Sequence, residues 1–386
     1  MMLHFENARI VTPEGIHRGS LTVADGRILA LDAAAPGRAA RVDLEDDLLL
    51  PGLIDLHGDA IEKEVEPRPN VFFPLPVALD AIDRRMAAAG VTTAFHAISF
   101  AEGELGVRDV AFAETLVRAV HEFGGAVEHR VHIRYELTDA GSEARVTRLV
   151  DEGVVSLLSF MDHTPGQGQF KHAAAYAAHL SRVYATGEEH IRERITTQQA
   201  EAGNLAARVQ RLADHARPRG VTLASHDDED AERVAFMAGL GARISEFPLD
   251  LATARTARAA GLLTLFGAPN VLRGRSQSGA LSAREAIAAG AAGALCSDYA
   301  PQAMLPALGV LTGEMGLDWP EAVDLMAGAP ARAAGLTDRG AIAPGPRADL
   351  IRVRQHGRAL SVAAVWLAGA QVHGFSARAR TAGRVL

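Results

Sequence analysis

Two side chains able to ligate a metal stand two residues apart at His57-Gly58-Asp59, directly after the apolar run Leu53-Ile54-Asp55-Leu56. On an extended strand positions i and i+2 face the same way, so an imidazole and a carboxylate at this spacing can share one divalent ion. A lone pair of this kind is commonly just a solvated strand end. Here the pattern recurs. Glu136 follows VHIRY, Asp162 and His163 follow VVSLLSFM, His226 with Asp227 and Asp228 follows VTLAS, Glu246 follows ARIS, and Asp298 follows ALCS. A hydrolytic metal centre needs neutral imidazoles, carboxylates that hold or bridge the ion, and an open position for water. His57, Asp59, Glu136, His226 and Asp298 supply such a set, and Asp298 could also take the proton of the attacking water.

The sequence around these groups supplies elements that would bring them together. Apolar runs of four to eight residues alternate with longer amphipathic stretches, the pattern of βαβ units. Eight runs qualify: LIDLHGD, VTTAFHAIS, VHIRYEL, VVSLLSFMDH, VTLASHDD, ARISEFP, LTLFGAPN and ALCSDYAP. Helical segments fall at 76–89, 108–123, 142–152, 203–217, 228–240, 250–260 and 282–292. Eight units predict an α/β fold, a (β/α)8 TIM barrel over 51–339, with its site in the loops at the C-terminal strand ends. Residues 1–50 and 340–386 read as short strands and turns, so the two termini are expected to form one small β-sandwich domain. The connection over 164–220 is too long for the barrel rhythm and is expected to be a lid or a subunit contact.

The 386 residues are 48% hydrophobic and 22% charged, close to the globular average, which argues against disordered and collagen-like classes. The net charge of −8 and the lack of a basic run argue against a nucleic-acid binder or an anionic-membrane binder. Only Lys63 and Lys171 among the 39 basic residues are lysines. The single cysteine, Cys296, cannot form an intramolecular disulfide, and beside Leu295 it reads as a core thiol. No signal-peptide pattern opens the chain and no run of about 18 apolar residues occurs, so a cytoplasmic location is expected. In HDDED (226–230), Asp228, Glu229 and Asp230 read as the acidic first turn of a helix. His96, and the histidines in helical or loop contexts such as His121, His129, His172, His179 and His190, read as structural.

Together these blocks resemble the amidohydrolase superfamily: a barrel entered by PGLIDLHGD (51–59), a strand-five histidine, a strand-eight aspartate, and a small β-domain closed by GAIAPGPRADL (340–350). More narrowly, the chain is similar to the PhnM family of phosphonate catabolism. HGDAIEKEVEPRP (57–69), SFMDHTPGQGQF (159–170), ASHDDED (224–230), EFP (246–248), GAPNVLRGRSQSG (267–279) and SDYAP (297–301) carry that resemblance across nearly the whole barrel. The chain also departs from the pattern. It has HxD where most of the superfamily has HxH, and no lysine on the fourth strand, which moves the expected metal bridge to Glu136. Glu246 stands at the usual strand-six histidine, as ligand or as the group that orients one. Gly58, Ala60, Gln277 and Ala280 stand where the family would place threonine, asparagine, histidine and asparagine.

The resemblance implies one or two divalent ions, zinc first and manganese or iron next, and hydrolysis of alpha-D-ribose 1-methylphosphonate 5-triphosphate, or a close analogue, to the 5-phosphate and diphosphate. Metal-activated water would attack the α-phosphorus, Asp298 would accept its proton, and His163 could orient the leaving group. So strongly anionic a substrate needs local cations. Lys63 and Arg68 after the first strand, and Arg273, Arg275, Ser276 and Ser278 after the seventh, are the expected cradle, with Glu246 as a further substrate-side group. Two rival readings are a hydrolase of C–N bonds, such as a deacetylase, deaminase or cyclic amidase, and a non-catalytic barrel scaffold. Expected partners are the small anionic substrate, carbon–phosphorus lyase pathway proteins and further copies in a homo-oligomer.

Overall fold

Short β-branched and aliphatic runs make the strands, and caps make the helix boundaries sharp. A computed structural model describes residues 2–101, 106–162, 205–276 and 279–374. The chain opens with β1 (Met2–Thr12), β2 (Gly15–Ala24), β3 (Arg27–Leu31), β4 (Ala40–Asp43) and β5 (Leu48–Pro51). Eight strands follow: β6 (Leu53–Gly58), β7 (Val91–Phe100), β8 (Glu128–Glu136), β9 (Leu157–Met161), β10 (Thr222–His226), β11 (Ile244–Glu246), β12 (Leu263–Gly267) and β13 (Ala294–Cys296). The chain returns through β14 (Leu350–His356), β15 (Ala359–Leu367) and β16 (Ala370–Gly374).

β6 to β13 lie side by side in sequence order, every pairing parallel. The first and last strands meet at a parallel bridge between Gly58 and Asp298, so the sheet is a barrel. Its interior is filled by Leu56, Phe95, Leu157, Leu265 and Cys296, which places the cysteine as a buried core thiol. The other sheet runs β16-β15-β14-β5-β1-β2-β3, with β4 beside β1, and has its own core around Phe5, Ile10, Leu21 and Trp366. Both termini therefore build this second, sandwich-like domain. Among the described residues, no helix is long and apolar enough to cross a membrane.

Between the barrel strands lie helices such as α1 (Ile61–Val65), α2 (Leu75–Ala88), α3 (Val110–Glu122) and α4 (Glu143–Asp151). Further helices at Leu205–Ala216, Ala231–Gly239, Leu251–Ala259 and Ala283–Ala288 also follow the periodicity. Asp109, Asp230 and Asp250 cap theirs by accepting backbone N–H groups of the first turn. Two local expectations change. The segment after the seventh strand, read as a loop, begins with a helix over Ala268–Arg273, because Pro269 suits the first turn and left-handed Gly274 (φ 70°) ends it. Asp228 is not in a solvated helix turn: it is buried, and it accepts hydrogen bonds from Ser225 and from Ser245 Oγ at 2.5 Å, tying β10 to β11.

The barrel seam depends on Asp55. Its Oδ1 accepts the Ser297 N–H at 2.9 Å, joining the first strand to the residue after the last. Gly58 lies against this junction, and a Cβ there would stand 2.8 Å from Asp55 Oδ2 and 3.0 Å from Ser297 Oγ. Gly58→Ala is thus expected to lower the unfolding free energy by about 1–3 kcal/mol, the usual cost of overpacking, as read from urea titration; an unchanged midpoint would show that the seam yields freely. A second junction joins the barrel to the chain's return. Glu128 at the start of β8 pairs with Arg339 and Arg347, each at 2.6 Å. Burial alone would raise its pKa, but the two guanidiniums outweigh this and hold it at about 2. Its stabilising contribution should be complete above the ordinary carboxylate pKa and fade as pH falls toward 2. The stability gap between wild type and Glu128→Gln, followed by thermal melts, should therefore be flat above about pH 5 and close below it.

Candidate metal centre

The centre is built around one buried carboxylate. Glu246, at the end of β11, is 0% exposed, and its two oxygens collect groups from three other strands. His57 Nδ1 from β6 donates to Oε1 at 3.0 Å, His226 Nδ1 from β10 donates to Oε2 at 3.1 Å, and Ser159 Oγ from β9 donates to Oε2 at 2.7 Å. A fourth strand adds His132, whose Nε2 is 3.8 Å from Oε1. Burial would push the carboxyl toward its neutral form, but the His57 and His132 imidazoles and the bonds from His226 and His57 hold its pKa well below the usual range. An ionised carboxylate only accepts, which fixes both imidazoles with a proton on Nδ1 and leaves Nε2 as the coordinating nitrogen.

The two histidine rings stack with centroids 5.5 Å apart, and the Phe247 ring meets both edge-on, at 5.1 and 5.3 Å. Three residues just beyond strand ends, Asp227, Phe247 and Asp298, share a left-handed backbone of φ 53°. Each spends its N–H on the neighbouring strand: Asp227 to Glu246 O at 2.8 Å, Phe247 to Leu265 O at 2.9 Å, Asp298 to His57 O at 2.9 Å. This turn lets the chain leave the barrel while its side chain borders the cavity. Asp298 is largely buried, and burial with the nearby Asp59 carboxylate pushes its pKa up to about 6.

A cavity of about 240 Å³ opens above these groups, lined by His57, Asp59, Arg134, His226, Asp227, Arg273, Arg275, Ser276 and Asp298. Of the residues expected from sequence, His57, Asp59, His226 and Asp298 thus converge, and Arg273 and Ser276 border them. Glu246 lies beneath the histidines. Glu136 does not line the cavity: it is buried, with Oε1 accepting from Thr138 Oγ1 at 3.0 Å, so the carboxylate between the imidazoles is Glu246 rather than the expected Glu136. Lys63 and Arg68 are exposed and lie outside the lining, because the α1 turn points Lys63 to solvent. His163 and Ser278 fall outside the described residues. Sequence reasoning missed His132, Arg134 and Ser159. The first two were detectable, since His132, Arg134 and Glu136 alternate along β8 and must share a face.

The donor set fits a divalent ion. His57, His226 and Glu246 group possible ligand atoms within 4.8 Å of one another, and with Glu246 taking both Nδ1–H groups the two Nε2 atoms are left for an ion. His132 donates Nδ1 to Leu56 O at 3.1 Å and keeps a buried Nε2 with no hydrogen-bond partner, while burial lowers its pKa to about 3 and so keeps the ring neutral. Nitrogen and oxygen donors without thiolate suit zinc, manganese or iron.

Barrel, sandwich-like domain and donor set together define a metal-dependent hydrolase of the amidohydrolase type. Among solved structures, 5-methylcytosine deaminase from Klebsiella pneumoniae superposes with a TM-score of 0.65, covering 98% of each chain at 16% identity. N-acetylglucosamine-6-phosphate deacetylase from Pasteurella multocida does so at 0.64, covering 96% of this chain and 99% of that one at 13% identity. Likenesses this distant speak for the fold. No protein-family model matches the chain. Alpha-D-ribose 1-methylphosphonate 5-triphosphate diphosphatase of Escherichia coli (strain K12) is 33% identical over 373 residues, 95% of this chain and 99% of that protein, and the chain belongs to the same PhnM family.

Removing the central carboxylate tests the arrangement. Glu246→Ala should cost about 3–5 kcal/mol of stability, because it leaves two buried imidazoles without their acceptor, and should weaken metal binding about 10–100-fold. Urea unfolding and metal analysis after dialysis read the two effects; full metal content in the variant would count against the scheme.

Proposed function

We propose that this site hydrolyses alpha-D-ribose 1-methylphosphonate 5-triphosphate, or a close analogue, between the α and β phosphoryl groups, leaving the 5-phosphate and releasing diphosphate. The observation that carries this reading is the full-length similarity to the diphosphatase of Escherichia coli. The cavity agrees with it: Arg134, Arg273 and Arg275 line it beside Asp59, Asp227 and Asp298, and with Asp59 and Asp298 facing the ion the arginines are left for a polyanion, a need that a neutral amide lacks.

His57, Asp59, His226 and Asp298 would hold the ion, with Glu246 keeping both imidazoles oriented. The chemistry such an ion supplies when bound is Lewis acidity, which eases loss of a proton from water and draws charge from a phosphoryl oxygen. Asp298 sits at the seam end of the cavity with its backbone fixed on both sides, donating to His57 O at 2.9 Å and accepting from Asp59 N at 3.0 Å. Its carboxylate is the acceptor for the proton of the attacking water. Arg273 and Arg275, with Ser276, take the departing diphosphate, whose charge they offset through forked N–H donors. Lys63 and Arg68 take no part in that cradle.

The same reading puts zinc first among candidate ions, with manganese and iron next, and places the chain in the cytoplasm beside carbon–phosphorus lyase pathway proteins. The domain division falls at residues 50/51 and 339/340, and a homo-oligomer is compatible with it.

Metal-loaded enzyme should release diphosphate from the ribose triphosphate, and neither ammonia nor acetate from C–N substrates. Asp298→Asn, assayed with metal resupplied in excess to offset the weakened ligand set, should lower kcat about 10²–10⁴-fold. Near-wild-type turnover in that variant would remove Asp298 from the proton transfer, and ammonia or acetate without diphosphate would replace the reading by C–N hydrolysis.

A further inference from the structure

We infer that Arg134 is a substrate-contacting residue whose guanidinium binds a phosphoryl oxygen on the side of the cavity opposite the arginines that follow β12, which rests on the phosphoanhydride reading above. Arg134 comes from β8, the third of the eight barrel strands, and is only 9% exposed, yet it borders the cavity. Its Nε is buried and has no hydrogen-bond partner. A buried guanidinium is normally surrounded by acceptors, because all five N–H groups lose water on burial.

The partner it has is a weak one. Arg134 Nη2 reaches Glu62 Oε1 at 3.5 Å, whereas the same carboxylate is gripped by Arg108, with Nε at 3.0 and 3.1 Å and Nη2 at 2.9 Å. Glu62 is thus already neutralised by Arg108, and Arg134 is left without a close ion pair of its own at the cavity wall. Among the described residues its ion pair is with Glu62 alone, and of the carboxylates that share the cavity Asp298 feels its charge only from beyond ion-pair distance.

The barrel order gives this charge a geometric meaning. β8 and β12 are four strands apart in a ring of eight and so face each other, with the groups from β6, β10 and β11 between them. Arg273 and Arg275 follow β12 and line the same cavity. Cations therefore stand on both sides of the proposed metal ligands, one buried and two exposed. A phosphorylated substrate lying across the centre meets a guanidinium at each end, and the buried one, shielded from water and salt, is the stronger contact.

The test is phosphate binding without turnover. Inorganic phosphate is titrated calorimetrically into the full chain, metal-free and metal-loaded, for wild type, Arg134→Met, Arg134→Lys and Glu62→Gln. Loss of one charge-assisted contact should weaken phosphate about 10–100-fold in Arg134→Met. Arg134→Lys should recover part of this, since an ammonium keeps the charge but not the fork. Glu62→Gln removes the tether and should leave phosphate affinity at or above the wild-type value. Phosphate affinity unmoved in Arg134→Met, or falling equally in Arg134→Met and Glu62→Gln, would overturn the inference and leave a structural ion pair. Wild type that binds phosphate through Arg134 but releases no diphosphate would support this contact and overturn the function proposed above, so the two failures are distinct.

Discussion

A carboxylate with no exposed surface, Glu246, is the constraint on which the barrel interior is organised. Taking an ionised carboxylate out of water costs several kcal/mol unless donors replace the lost solvent. Here they come from far along the chain: His57 on β6, Ser159 on β9 and His226 on β10, with the His132 ring close by on β8. Satisfying one charge therefore fixes the relative height of five strands, counting β11 itself. The same bonds set the tautomer of two imidazoles. Stability and the geometry of the candidate metal centre are therefore one arrangement here.

Much of this was legible in the sequence, for physical reasons that differ between elements. Barrel strands and helices could be read because burial imposes a period, so that helices expected at 142–152 and 250–260 are found at Glu143–Asp151 and Leu251–Ala259. His57, Asp59, His226 and Asp298 were readable because a ligand-type side chain at a strand end interrupts an apolar run. Glu246 was visible but ambiguous: a carboxylate at a strand end looks the same whether it binds an ion or holds the residues that do. Ser159 was hidden, since a small hydroxyl within LLSFM breaks no pattern. Glu136 misled because it shares the inward face of β8 with His132 and Arg134, yet lies one pleat further on, where Thr138 takes its oxygen. Contacts between residues far apart in the chain are set by tertiary packing, which no local pattern encodes.

Bulk charge and local charge point in opposite directions. The chain carries a net −8, yet Arg134 from β8 and Arg273 and Arg275 after β12 line the cavity beside its aspartates. Buried or partly buried cations act over a few ångströms with little screening, whereas the distributed negative charge acts over a longer range and is damped by salt. A net negative chain and arginines at the cavity wall are thus compatible, the first governing solubility and the second acting locally.

The seam at Asp55 and Ser297 joins positions 242 residues apart. A ribosome must therefore deliver almost the whole barrel before the first strand can find its last neighbour, and Asp298 enters the site in the same step. Until then the nascent chain has donors but no closed ring to hold them. The closed seam is consequently a property of the finished barrel: a product truncated before the last strand would keep His57 and His226 yet could neither close the ring nor bring Asp298 to the cavity.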